Sequence, residues 1–245
     1  MLLAIDIGNT AIAFGVFQGK KLKSSWKVST QGPLSSKSLR FQKDIDAAII
    51  SSVVPKATPI IKKAVAKKYG IRPLVVGWNI KAPIKNLYGR PKQVGQDRLV
   101  DAVAVKELYG YPSIVIDFGT AITFDVISGK GDYLGGLIFP GIETSLNALS
   151  QRAALLPKIK VVPPKGLIGR DTVESMRSGV FHGIGALCDG IISRLRAKYG
   201  FMQLIATGGH AELMVKFSKS SINKVNPNLT LLGLRLIYEK RSQKI

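Results

Sequence analysis

The chain has 245 residues, 46% of them apolar, with 36 Lys and Arg against 15 Asp and Glu, a formal net charge of +21. That is enough apolar material to fill one large core or two ordinary ones, which excludes a disordered chain. The single cysteine, Cys188, excludes an intramolecular disulfide and a thiolate metal site.

One cysteine suits a reducing cytoplasm, and that is the expected location. The opening MLLAI lacks the charged segment and longer apolar core of a secretory signal, and no stretch approaches the ~18 apolar residues of a membrane span. No membrane partner is expected. The basic residues are scattered as KKLK (20–23), KKAVAKK (62–68), PKIKVVPPK (157–165) and EKRSQK (239–244), with few aromatics between them. Without stacking platforms or a recognisable nucleic-acid motif, this charge reads as solvated surface, and nucleic acid is not expected as a partner.

In chain order, LLAID, AIAFGVF and KLKSSWKVS predict three strands of a meander turning at IGNT and QGK. A helix is hard to place between Ser35 and Asp44. DAAIISSVVP predicts a buried strand ended by proline, followed by a helix over about 58–69 with its lysines outward. RPLVVG predicts a strand, residues 81–96 a Gly-, Pro- and Lys-rich loop, and residues 97–109 an amphipathic helix. SIVIDFG, AITFDVIS and DYLGGLIFPG then restart the strand pattern. A long helix is expected over 172–199, with Asp171 as its cap and Glu174 as capping-box partner. Its apolar positions step by three or four residues, while Gly179, Gly183 and Gly190 strip side chains away at about 0.8–1 kcal/mol each. Either irregular internal packing or a second copy of the chain would account for them. Strand MQLIATGG and a helix from LLGLRLIYEK follow.

The chain writes one pattern twice. Strand, Asp-x-Gly, Thr, strand occurs at Asp6 and again at Asp117, 117 − 6 = 111 residues later. Glycine lets backbone N–H groups turn inward to form a nest for phosphate oxygens, and the hydroxyls of Thr10 and Thr120 add donors. The carboxylates would repel phosphate unless a cation stood between them, so a metal is implied. The duplication predicts an α/β protein of two halves, residues 1–112 and 113–245, with a nucleotide cleft between them. Gly208 and Gly209, at a strand-to-helix junction, offer bare backbone for an adenine or ribose. No Walker-type GxxxxGK[ST] occurs.

DIGNT (6–10), ISSVVP (50–55), VGQDR (94–98), DFGTA (117–121), YLGGLIFPG (133–141), ATGG and LTLLGLRLIYE together resemble type III pantothenate kinases along essentially the whole chain. That family lies in the actin, heat-shock ATPase and sugar kinase superfamily. The resemblance implies two RNase H-like halves with mixed sheets flanked by helices, and ATP-dependent phosphorylation of pantothenate to 4'-phosphopantothenate, the first step toward coenzyme A. It implies an ATP phosphate site at Asp6, Ile7, Gly8, Asn9, Thr10, Ala11, Ile12 and Ala13, with Thr120 also on ATP. Asp97 is implied as the catalytic base, and Tyr88, Gly95, Gln96, Arg98 and Thr172 join it in holding substrate. Asp117 is implied as ligand of a monovalent cation, potassium or ammonium, beside magnesium, and the assembly as a homodimer.

Gln96 stands where the family usually has alanine, and Tyr88-Gly89-Arg90-Pro91 where it has Tyr-x-Asn-Pro. A second reading is a catalytically silent, nucleotide-binding relative acting as a regulatory protein. His182 and His210 lack metal-ligand spacing and are expected to be structural. Cys188 is expected to be a small buried residue, and Trp26 and Trp78 core or rim.

Overall fold

In the computed structural model, residues 1–32, 44–222 and 224–241 are described. Apart from Asp44, the segment where a helix was hard to place lies outside them. The chain divides into two compact units. Unit 1 takes Met1–Gly110, Gly131–Tyr133 and the chain from Asn228 onward; unit 2 takes Tyr111–Lys130 and Leu134–Pro227.

Unit 1 is built on a five-stranded sheet in the order β3-β2-β1-β4-β5. The strands are β1 (Leu2–Ile7), β2 (Ala11–Gln18), β3 (Lys21–Ser29), β4 (Ala47–Ser52) and β5 (Leu74–Val75). β1 lies at the centre, antiparallel to β2 and parallel to β4. Its near-continuous apolar run suits a strand covered on both faces. Successive side chains point to opposite faces. Leu3, Ile5 and Ile7 enter a core shared with Ile61, Ala64 and Val65 of α1 (Thr58–Tyr69), while Leu2 and Ala4 enter a second core. That second core is closed by Val100 and Val103 of α2 (Gln96–Leu108) and by residues of the terminal helix. The edge strand β3 places Lys21, Lys23 and Lys27 outward, the charged edge that discourages pairing with another sheet. Trp26, on the same strand, turns inward and stacks on Phe14 with ring centroids 5.0 Å apart.

The expected RPLVVG strand is only Leu74–Val75. It is cut short because Gly77 adopts φ +86 and Val75 O collects the N–H groups of Trp78 and Asn79, curling the chain into a tight loop. Trp78 sits on that loop, 72% exposed, with Lys62 Nζ 4.6 Å above its ring.

Unit 2 repeats the plan. Its strands are β6 (Ser113–Phe118), β7 (Ala121–Ile127), β8 (Tyr133–Pro140), β9 (Gln203–Thr207) and β10 (Lys224–Val225), in the order β10-β9-β6-β7-β8. Read from β8, this is the same sequence of neighbours as in unit 1, with β6 antiparallel to β7 and parallel to β9. Each unit thus carries the RNase H-like mixed sheet that the resemblance implied, in the two like halves that the duplication predicted. The single core of unit 2 combines Ile114, Ile116 and Phe118 with Ile142 and Leu146 of α3 (Ile142–Arg152) and Phe181, Ile184, Cys188 and Ile192 of α4 (Thr172–Tyr199). α3, absent from the sequence reading, and α5 (Ala211–Met214), the short helix expected after Gly209, complete it.

α4 has the expected bounds, and Asp171 Oδ1 accepts from Glu174 N at 2.8 Å. The capping box closes in one direction only. The Glu174 carboxylate instead accepts from Lys165 N at 3.0 Å and from Arg177 Nη1 at 2.8 Å, and these bonds hold it below the usual carboxylate range. A Cβ at Gly185 would collide with Phe217 O, so that glycine serves packing within unit 2, whereas Cβ atoms at Gly179, Gly183 and Gly190 would meet nothing within 4 Å. Cys188 is buried, and burial pushes its thiol up to about 12. His182 lies edge-on to Phe217 and His210 precedes α5, both consistent with structural roles. Among the described residues no helix is long and apolar enough to cross a membrane.

The terminal helix, α6 (Leu229–Arg241), packs against α2 in unit 1, with Leu231, Leu234 and Ile237 in its second core. Gly233 allows the approach, because a Cβ there would collide with Val100 O. Gly233→Ala is expected to lower stability by about 1–3 kcal/mol, the usual range for overpacking, measured by urea unfolding. A second expectation concerns Asp189 of α4. Burial alone would raise its carboxyl, but bonds from Ser218 Oγ and from the backbone of Lys219 and Ser220 outweigh that and hold it low. A depressed folded value stabilises above the unfolded pKa and is lost as pH falls through the folded one. The stability difference between wild type and Asp189→Asn should therefore shrink on acidification.

Candidate active site

In unit 1, β1, β4 and β5 run parallel, so their C-terminal ends share one edge of the sheet, the edge at which open α/β sheets bind ligands. The first Asp-Gly-Thr turn leaves from that edge. Ile7 O accepts from Val53 N at 3.1 Å, Gly8 N donates to Ala11 O at 3.1 Å, and Thr30 Oγ1 donates to Gly8 O at 2.7 Å. The turn is therefore tied to the loop after β4 and to the end of β3. Asn9 and Thr10 are exposed at its tip. Asp6 lies in register with Ser51, whose hydroxyl is fully buried. Alternation along β1 places Asp6 on the face of Leu2 and Ala4, the face covered by α2 and α6.

α2 begins at the same edge, since Gly95, just ahead of it, is close enough to Val53 that an added Cβ would lie 3.4 Å from Val53 Cγ1. The Asp97 side chain curls back over Gly95. A Cβ at Gly95 would collide with Asp97 Oδ1, and that oxygen accepts from Arg98 N at 2.8 Å. The carboxylate is thus fixed by backbone at the first turn of a helix, with the Arg98 cation next in sequence.

Tyr133, the first residue of the YLGGLIFPG motif, joins this group. It is fully buried, donates its N–H to Lys85 O at 2.9 Å and accepts from Leu87 N at 2.9 Å, while the Arg98 guanidinium lies 6.0 Å from its ring centroid. One residue thereby holds the loop that carries Tyr88 and underlies Arg98. Tyr88 N itself donates to Asn86 Oδ1 at 3.0 Å.

Unit 2 contains the second turn. Gly119 N donates to Ala121 O at 3.2 Å, and the turn spans residues 119–121 where the first spans 8–11. Thr120 O accepts from Gly141 N at 3.0 Å and Thr144 Oγ1 at 2.7 Å, so the start of α3 braces it. Asp117 is in register with Thr207. A Cβ at Gly208, which has φ +94, would collide with Asp117 Oδ1. The bare face of Gly208 is thus taken by a carboxylate, and Gly209 alone keeps open space around it. Thr172 is the exposed first residue of α4.

Unit 1 therefore brings together the residues from Asp6 to Ala13, Tyr88 and the run from Gly95 to Arg98, while Asp117, Thr120 and Thr172 belong to unit 2. Ser51, Thr207, Gly141, Thr144 and Tyr133 escaped the sequence reading. Ser51, Tyr133, Gly141 and Thr207 lay inside quoted motifs without being singled out, and Thr144 lay in none; strand pairing and the turn contacts are what place them.

A family profile described as type III pantothenate kinase matches residues 2–194. The chain belongs to the type III pantothenate kinase family. The relative from Moorella thermoacetica is 43% identical over 255 residues, covering 99% of this chain and 100% of its own. That from Geobacter sulfurreducens is 42% identical over 256 residues, with the same coverage. Both bear the name type III pantothenate kinase. Among solved structures, the activator of 2-hydroxyisocaproyl-CoA dehydratase from Clostridium difficile, with bound ADPNP, aligns with a TM-score of 0.56 at 15% identity over 99% of this chain and 97% of its own. At that identity the likeness concerns fold alone. Membership makes the chain an ATP-using phosphotransferase.

The crowding at Gly95 yields an expectation. Gly95→Ala should displace the Asp97 carboxylate and lower ATP-dependent turnover by about 100-fold, while the thermal unfolding midpoint shifts by no more than a few degrees.

Proposed function

We propose that the chain transfers the γ-phosphoryl group of ATP to the hydroxyl of pantothenate in the cytoplasm, with Asp97 as the base. The observation that carries this reading is the Asp97 carboxylate, held over Gly95 and beside Arg98 on the strand edge from which the Asp6 turn also leaves. Phosphoryl transfer asks a protein chiefly to position reactants and neutralise charge. The hydroxyl oxygen bonds to the γ-phosphorus, the bond from that phosphorus to the β,γ-bridging oxygen breaks, and ADP departs. The hydroxyl proton passes to the Asp97 carboxylate, which makes the oxygen a better nucleophile as the new bond forms.

In this reading the turn from Asp6 to Ala13 cradles ATP phosphate oxygens and Thr120 makes a further contact with ATP. Arg98 presents a planar fork to an anionic group of the substrate, and Tyr88, Gly95 and Thr172 complete the substrate contacts. The donor chemistry fits hard cations. Asp6 and Asp117 offer carboxylate oxygen, and no group of three or more His, Cys, Asp or Glu able to hold a metal occurs among the described residues. Magnesium commonly takes one or two carboxylates and completes its shell with phosphate oxygens and water. Asp6 would hold it and Asp117 a potassium or ammonium ion; when bound, the cations offset phosphate charge.

We assign the exposed faces of Gly179, Gly183 and Gly190 on α4, where an added Cβ would meet no atom of the described residues within 4 Å, to contact with a second copy in a homodimer. Gly183→Phe should then convert the protein to monomer in sedimentation.

The decisive measurement is ATP-dependent phosphorylation of pantothenate, with and without potassium. Asp97→Asn is expected to lower turnover at least about 100-fold with folding intact, and Asp117→Asn to abolish the response to potassium. Equal rates for wild type and Asp97→Asn would remove the assignment.

A further inference from the structure

Gln96 opens α2, and its side chain lies across Gly77. A Cβ built on Gly77 would sit 2.7 Å from Gln96 Cδ, 2.9 Å from Oε1 and 3.0 Å from Cγ. The Gln96 side chain thus fills the volume that any side chain at position 77 would need. Gly77 belongs to a firmly bonded loop. Its N–H donates to Ile80 O at 2.8 Å, Val75 N donates to Asn79 Oδ1 at 2.6 Å, and Val76 N donates to Ile50 O at 2.9 Å.

The helix needs such a support. The residue that precedes α2, Gly95, has no side chain and supplies no capping bond, although uncapped first turns leave backbone donors unsatisfied and fray. Within the first turn, Arg98 N is bonded by Asp97 itself, so the orientation of the carboxylate and the geometry of the turn are one variable. Contacts with two loops of the sheet help to hold that turn. Gly95 abuts Val53 after β4, and Gln96 covers Gly77 after β5.

We propose that Gln96 is a positioning residue, a strut between the bare backbone of Gly77 and the first turn of α2 that fixes the Asp97 carboxylate without touching the substrate. The inference rests on Asp97 being the base. It assigns the work of Gln96 to the volume of its side chain rather than to its amide. Methionine, an unbranched side chain of similar length and volume without the amide, should therefore stand in for it, and alanine should not.

The test is a set of four variants assayed with ATP and pantothenate. Gln96→Ala should lower kcat at least about tenfold while KM for pantothenate stays within about twofold, since displacing a base by a fraction of an ångström acts on the chemical step. Gln96→Met should restore most of the loss. Gly77→Ala, which evicts the Gln96 side chain, should be costly in the wild type and much less so alongside Gln96→Ala. The backbone strain at φ +86 is common to both backgrounds and cancels in the cycle, leaving the contact itself. The proposal is overturned by a raised KM with unchanged kcat, by Gln96→Met falling as far as Gln96→Ala, or by additive effects of the two alanines. A wild type that does not phosphorylate pantothenate would overturn the functional reading together with this one, whereas an active wild type with any of those three results overturns the strut alone.

Discussion

Parallel pairing of β1 with β4, and of β6 with β9, decides where the polar groups of this protein can stand, because parallel strands deliver their following loops to one edge of the sheet. The register is enforced by the cores. Leu3, Ile5 and Ile7 serve one face of β1 and Leu2 and Ala4 the other. A slip of one residue would exchange the two sets and turn Asp6 toward α1. Burial of large aliphatic side chains, each contributing about 1.5–3 kcal/mol, therefore holds a carboxylate at the strand end where the Asp-Gly-Thr turn begins. In unit 2 the core residues Ile114, Ile116 and Phe118 alternate with Asp117 in the same way.

Around these strand ends, missing side chains matter as much as present ones. The volume that a Cβ would take is filled by Asp97 at Gly95, by Asp117 at Gly208 and by Gln96 at Gly77. In each case a polar side chain rests on bare backbone instead of facing open water. Such seating restricts rotamers before any ligand arrives, the kind of preorganisation on which catalytic geometry depends. Positive φ at Gly77 and Gly208 further restricts what could replace them.

Much of this was legible in the residues. The doubled Asp-x-Gly pattern predicted two like sheets, and the i, i+3, i+4 spacing of apolar residues marked α4 from Thr172 to Tyr199. α3 escaped because only Ile142 and Leu146 of its eleven residues are buried, too few to set a period. The RPLVVG strand was expected, but its shortness escaped because an apolar run does not reveal that Gly77 will turn the chain away. The carboxylate of Glu174 was expected to reach back to its own cap, and the nearer partners were Lys165 and Arg177. Tyr133 and Ser51 became visible only through strand pairing, which is a long-range property that no local window contains.

α6 returns to unit 1 from the far end of the chain, and its Leu231, Leu234 and Ile237 complete a core begun by Leu2 and Ala4. Residues are made in order, so α2 is present to cover part of this face of the sheet early, whereas α6 is made only after the whole second unit. Unit 2, whose segments end at Pro227, has all its parts sooner. The second core of unit 1 is therefore completed through contacts of very high sequence separation, whose loop-closure entropy must be met before they stabilise the fold.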